Sequence, residues 1–178
     1  SPKLNDKALA KPFDYGAPFA ALYRSWLHKT GIAEMGLPLQ LTTVGEIVRK
    51  YDATLESPVT QWLLHHELVT DPERAEAWHF FALEFLPTRE SFSKDDLLTG
   101  LAKKLGPHSM QHFGPGSKLN QRILRKIIEV YTSPEGLGEL GLIEATDKDH
   151  FRRMAPKALG PWKSEAALEK AYLKASKK

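Results

Sequence analysis

Four helix-start signals, Ser57-Pro58, Asp71-Pro72, Ser93 and Ser117, recur along the middle of this chain, so the stretch they punctuate reads as a series of short helices. Proline is tolerated at a first helical position because the N–H it lacks would have no intrahelical partner there. Ser93 with Asp96 makes a capping-box-like start, Asp standing where Glu is usual, for a helix reaching about Leu105. Upstream, residues 17–29 space their apolar side chains helically and stop at Gly31, and Thr42-Thr43 can cap a helix carrying Val44, Ile47, Val48 and Tyr51. Downstream, Gly160-Pro161 is a linker, and Ser164 begins a final helix that ends in a basic tail at 174–178. Strand is expected only in short pieces near 37–41 and 141–154. The whole predicts a mainly α protein, helical over more than half its length. It is divided into a flexible segment 1–16, a helical core lobe 17–92, a winged-helix-like lobe 93–160, and a C-terminal helix with its tail, 161–178.

A chain of 178 residues with 42% hydrophobic content, four Trp and eight Phe can bury a sizeable core, which excludes general disorder. Without cysteine there are no disulfides and no cysteine-ligated zinc. No segment approaches the roughly 20 apolar residues of a membrane span. The first residues lack the apolar core of a signal peptide, so a cytoplasmic chain with no membrane role is the expectation.

The stretch from Ser117 to Met154 carries the strongest functional pattern. From Lys118 to Thr132 there is neither Gly nor Pro, and at about 100° per residue Leu119, Ile123, Leu124, Ile127, Ile128, Val130 and Tyr131 fall on one arc. Lys118, Gln121, Arg122, Arg125 and Lys126 fall on the other, with Glu129 placed to pair with Lys126 or Arg125. A Pro/Gly break and a short helical turn follow. Two short runs, 141–145 and 150–154, then flank the polar turn Thr146-Asp147-Lys148-Asp149, a hairpin pattern carrying Arg152 and Arg153. Lys103 and Lys104 close the preceding helix, and a Gly-rich connector, 106–116, separates it from the basic one. Helix, break, turn and hairpin in this order outline a winged helix.

Charge is unevenly distributed. The chain is +3 overall, but residues 41–92 carry −5 and residues 93–133 carry +4. A phosphate backbone favours the basic part and avoids the acidic one. The acidic stretch is equally an ordinary solvated surface or a face for another protein.

Enzyme and metal patterns are weak. There is no nucleotide-binding glycine loop and no nucleophile elbow. The nearest phosphate-loop mimic, Gly114-Pro115-Gly116-Ser117-Lys118, follows no strand, and Pro115 removes a donor; contact with a nucleic-acid phosphate suits it better than a nucleotide. His65 and His66 are adjacent on a helix and point about 100° apart, so they read as core or boundary histidines, as does His79. His108 and His112 fall in an expected loop between Pro107 and Gly114. Asp95 and Asp96 favour a helix first turn for its dipole alone. No catalytic residue, metal or cofactor is expected.

From Asp52 to Phe85 the chain resembles the central signature of the DUF4007 family. The matching residues are Asp52, Leu55-Glu56, Thr60, Trp62-Leu63-Leu64-His65, Ala75, Trp78 and Phe80-Phe81. Residues 92–101 and 137–145 resemble that family's C-terminal half, and Leu41-Thr42-Thr43-Val44-Gly45-Glu46-Ile47-Val48 its lead-in, so the likeness runs over about residues 20–155. The resemblance implies bacterial neighbourhoods of phage defence and DNA modification, including sulfur modification of the backbone, and carries no established catalytic residues. Members also have a longer N-terminal region resembling a DNA-reading module, of which only the end stands in this sequence. In the signature itself, Trp62, Leu63, Leu64, Leu68, Trp78, Phe80, Phe81 and Phe85 read as two core helices packed on each other.

Together these features lead to the expectation of a non-enzymatic accessory that binds double-stranded DNA through Lys103, Lys104, Lys118, Arg122, Arg125 and Lys126, with Arg152 and Arg153 on the wing. The alternative is an interaction subunit whose acidic stretch docks a larger defence enzyme without touching DNA. A hydrolase or nuclease is disfavoured, because no paired carboxylates or His cluster have usable spacing.

Overall fold

A computed structural model describes Asn5, residues 17–156 and residues 158–176. The expected flexible segment 1–16, Asn5 excepted, and the last two residues of the basic tail lie outside the described residues. Within them, 62% is helical, in eight helices, with a small three-stranded antiparallel sheet. No described helix is long and apolar enough to cross a membrane.

The chain forms two compact units. One takes the described residues up to Leu68 together with those from Gly160 on; the other is Val69–Leu159. The first contains α1 (Ala17–Lys29), α2 (Thr43–Tyr51), most of α3 (Pro58–Thr70) and the last helix, Glu165–Ala175. Thr42 caps α2 as expected, accepting from the Gly45 amide at 2.9 Å while its hydroxyl donates to the Gly31 carbonyl at 2.6 Å. Gly45 is required there, since a Cβ would sit 2.0 Å from the Ile32 carbonyl oxygen. The core of this unit joins Ile32, Ile47, Val48, Val59 and Leu63 to Leu168 and Tyr172 of the last helix. Tyr172 stacks on Tyr51 with ring centroids 5.4 Å apart, and its buried hydroxyl lies 2.7 Å from Thr60 Oγ1. The C-terminal helix is therefore part of the first unit's core.

The second unit opens with α4 (Pro72–His79), capped by Asp71, whose side chain accepts from the Glu73 amide. The helix continues through a π turn (Phe80–Phe85) and a 3-10 turn (Leu86–Thr88) into β1 (Ser91–Ser93). Next come α5 (Lys94–Leu105), a 3-10 turn (Gly106–His108), the four-residue α6 (Met110–Phe113) and α7 (Lys118–Thr132). A 3-10 turn (Gly138–Leu140), β2 (Ile143–Ala145) and β3 (His150–Arg153) complete it, and the helix of the first unit becomes α8. The strand order is β1-β3-β2, with Phe92 opposite Phe151 and Glu144 opposite Arg152. Phe81, Phe85, Phe92, Tyr131 and Phe151 form one chain of ring contacts, 5.3–6.1 Å between centroids, and Trp78 joins it through Tyr131.

These contacts correct several expectations. The boundary falls at Val69 instead of residue 93, because the aromatic residues of α4 and its π turn share a core with Phe92, Tyr131 and Phe151. Trp62 and Trp78 consequently belong to different units. Trp78 is buried against Tyr131, whereas Trp62 is half-buried with its ring edge-on to His65. No strand forms over 37–41; a single bridge joins Ala33 to Leu41, and Pro38 has no N–H to extend it. β1 was not expected at all. The stretch holding His108 and His112 is two short helical turns, not a loop.

Candidate nucleic-acid interface

α7 positions the candidate site. Ser117 caps it with a side chain that accepts from the amides of Leu119 and Asn120, and that also donates to the His112 carbonyl. Two of the amides at this helix start are thus already bonded within the chain. Leu124, Ile127 and Tyr131 are buried, while Lys118, Gln121, Arg122, Arg125, Lys126 and Glu129 are exposed, as the helical spacing requires. Two positions break the pattern. Leu119, assigned to the core arc, is 39% exposed, and Asn120 is buried, its amide donating to the Phe113 carbonyl at 2.7 Å. Asn120 thereby ties the start of α7 to the end of α6. Its Oδ1 has no hydrogen-bond partner among the described residues.

The eight candidate cations separate into two groups. Lys104 pairs with Glu84 at 2.7 Å, Lys126 with Glu129 at 2.9 Å, and Arg152 with Glu144 across the hairpin at 2.5 Å. Arg153 donates to the Pro87 carbonyl at 2.6 Å, which ties its guanidinium to the turn before β1. Lys103, Lys118, Arg122 and Arg125 make no ion pair among the described residues. The unpaired positive charge therefore gathers on the N-terminal half of α7 and, at Lys103, on the last turn of α5.

Two hollows border that half-helix. One, about 590 Å³, is edged by Gln121 and Arg125 together with Lys94, Asp95, Asp149 and His150. The other, about 540 Å³, is edged by Lys118 and Arg122 with His112 and the backbone around Gly116. Lys103 borders an apolar hollow of about 560 Å³ with Met110 and Pro115. Gln121 appeared in the sequence on the outer arc but not among the site residues; its amide amid cations was the signal available.

The hairpin tip is locally rigid and acidic. Asp147 accepts from the amides of Asp149 and His150 at 2.8 and 2.9 Å, and its carboxylate lies 3.0 Å from His150 Nδ1. The Asp149 amide first, and then His150, hold the Asp147 carboxyl below its ordinary pKa. Lys94 pairs with Asp149 at 3.2 Å and anchors the tip to the start of α5.

Three of the histidines have defined settings in the fold. His65 is buried, and burial first, then the neighbouring His66, lowers its pKa to about 4, so it stays neutral in the fold. His79 Nδ1 lies 2.7 Å from the Val69 carbonyl, and His108 lies 2.8 Å from Glu76. Among the described residues, no group of three or more His, Asp or Glu gathers in a way that could hold a metal ion.

A site of this kind, an exposed basic helix beside a small sheet, has a family to set it against. The model of the family described as protein of unknown function (DUF4007) matches residues 19–171. The chain belongs to that family, and the resemblance seen over its central signature extends across most of its length. Comparison with curated proteins gives no match, nor does comparison with solved structures.

Proposed function

We propose that the Val69–Leu159 unit is a winged helix that binds duplex DNA through α7, and that the protein is a non-enzymatic accessory in bacterial phage defence or DNA modification. The observation that carries this reading is the patch of cations Lys118, Arg122 and Arg125 on an exposed helix arc, which make no ion pair among the described residues. Lys104, Lys126 and Arg152 are engaged within the unit, so a phosphate would have to displace a partner there, whereas at Lys118, Arg122 and Arg125 it would not. The order helix, β1, α5, α7, β2, β3, apart from the short α6, with strand order β1-β3-β2, supports this reading, in which the last helix before the hairpin enters the major groove. The wing departs from the expectation. Its arginines are engaged within the unit, and Asp147 adds negative charge at its tip, so α7 and Lys103 carry most of the contact.

Titrating the full chain with duplex DNA over a range of salt tests this. Affinity should fall steeply, with a log–log slope of about −0.9 per phosphate contact. Substituting Lys118 and Arg122 by Ala should weaken binding and flatten the slope by about two contacts. No binding at near-physiological salt, alone or with its operon partners, would overturn it.

A second reading has its own support. The −5 charge over residues 41–92 and, separately, the exposure of Leu22 and Tyr23 on α1, each more than half exposed, suit a subunit that docks a larger defence enzyme. Under it, the same titration gives no duplex binding, and a double substitution at Leu22 and Tyr23 abolishes co-purification with that enzyme.

A further inference from the structure

The two sides of α7 differ in chemistry, and on that difference we infer a division of labour within the DNA-binding reading, on which this inference rests: Gln121 and Arg125 read base edges, while Lys118 and Arg122 hold a phosphate strand. Along a helix, residues four apart point the same way and stand about 6 Å apart, which is close to two base-pair steps of about 3.4 Å. Gln121 and Arg125 form one such row, and Lys118 and Arg122 form the adjacent one, about 60° round the helix.

Each row faces its own hollow. The Lys118–Arg122 side, with the Gly116 backbone, offers cationic donors and no carboxylate. That suits phosphate, whose oxygens only accept. The Gln121–Arg125 side offers donors and acceptors together, with Asp95 and Asp149 at its border. Lys94 lines the same border and pairs with Asp149, so this side is near neutral and draws a phosphate strand less than the cationic side does. It suits a base edge, because the major groove presents acceptors on guanine, a donor on cytosine, and both on adenine. A glutamine amide matches adenine N6 and N7 in a bidentate pair, and a guanidinium matches guanine O6 and N7. Among the described residues, neither side chain has an intramolecular partner to surrender. The geometry therefore assigns the protein a preference for duplexes carrying an adenine and a guanine about two steps apart in one groove.

The experiment is selection of bound duplexes from a randomised pool by the full chain, followed by affinity measurements on the selected and scrambled duplexes at two salt concentrations. Enrichment of a short adenine- and guanine-containing site is expected. Gln121→Ala should erase the preference at the adenine position, and Arg125→Lys, which keeps the charge but loses the planar fork, at the guanine position. Each loss should be about 5- to 150-fold in discrimination, with the salt slope unchanged. Binding without enrichment, or preference that survives both substitutions, overturns the division of labour and leaves the DNA reading standing. Absence of binding to the whole pool overturns both.

Discussion

Arg153 donates from Nη1 to the Pro87 carbonyl at 2.6 Å, so the last residue of β3 is fastened to the turn that precedes β1. The same arginine's backbone amide donates to the Glu90 carbonyl. Arg153→Ala should therefore destabilise the protein by about 1.5–3 kcal/mol, the range for a hydrogen bond from a charged donor. The salt slope of duplex binding should not change. Arg152→Ala removes only an exposed cross-strand pair and should cost less than about 1 kcal/mol. Denaturant melts of the two variants, beside duplex titrations, check both.

Trp78→Ala should cost about 3–5 kcal/mol, because the indole is buried against Tyr131 in the aromatic core. Trp62→Ala should cost about 1–3 kcal/mol, since its ring is only half-buried. Equal losses in thermal melts of the two variants would contradict this assignment.

Tyr172→Phe keeps the stack on Tyr51 and deletes one buried hydroxyl. With Thr60 left in place, fully buried, the loss should be about 1–3 kcal/mol. Tyr172→Ala, which also empties the site, should lose about 3–5 kcal/mol. Chemical denaturation that ranks the two otherwise would remove Tyr172 from the core.

His65 makes stability depend on pH. Its folded pKa, about 4, lies below the ordinary 6.5, so the unfolded chain binds the extra proton between those values. Its contribution is whole above pH 6.5 and is lost as pH falls towards 4, by about 3 kcal/mol in all. Melts across that window should show the loss, and His65→Gln should flatten it.

Much of this was legible because helix ends are written locally. The Ser93–Asp96 capping box, the Thr42 and Ser117 caps, and Pro58 and Pro72 at helix starts all occur as their residues require. The basic arc of α7 was equally legible, being set by helical period alone. What was hidden depends on distant partners. β1 is three residues, too short for alternation to be seen, and exists because Phe92 meets Phe151 across the sheet. The engagement of Arg153 needs Pro87, and that of Lys104 needs Glu84, neither within helical reach in sequence. Asn120 sits at an apolar position of α7 because the Phe113 carbonyl is there to receive it.

The last helix belongs to the first unit's core, with the 91 residues of Val69–Leu159 lying between α3's end and that return. On the ribosome this sets an order of completion. The inserted unit is fully synthesised, and free to close its aromatic core, before Leu168 and Tyr172 have left the exit tunnel. The first unit waits for both. Until they arrive, the ring of Tyr51 and the hydroxyl of Thr60 have no partner in α8, and a nascent chain stalled before residue 168 would present that half-built surface to chaperones.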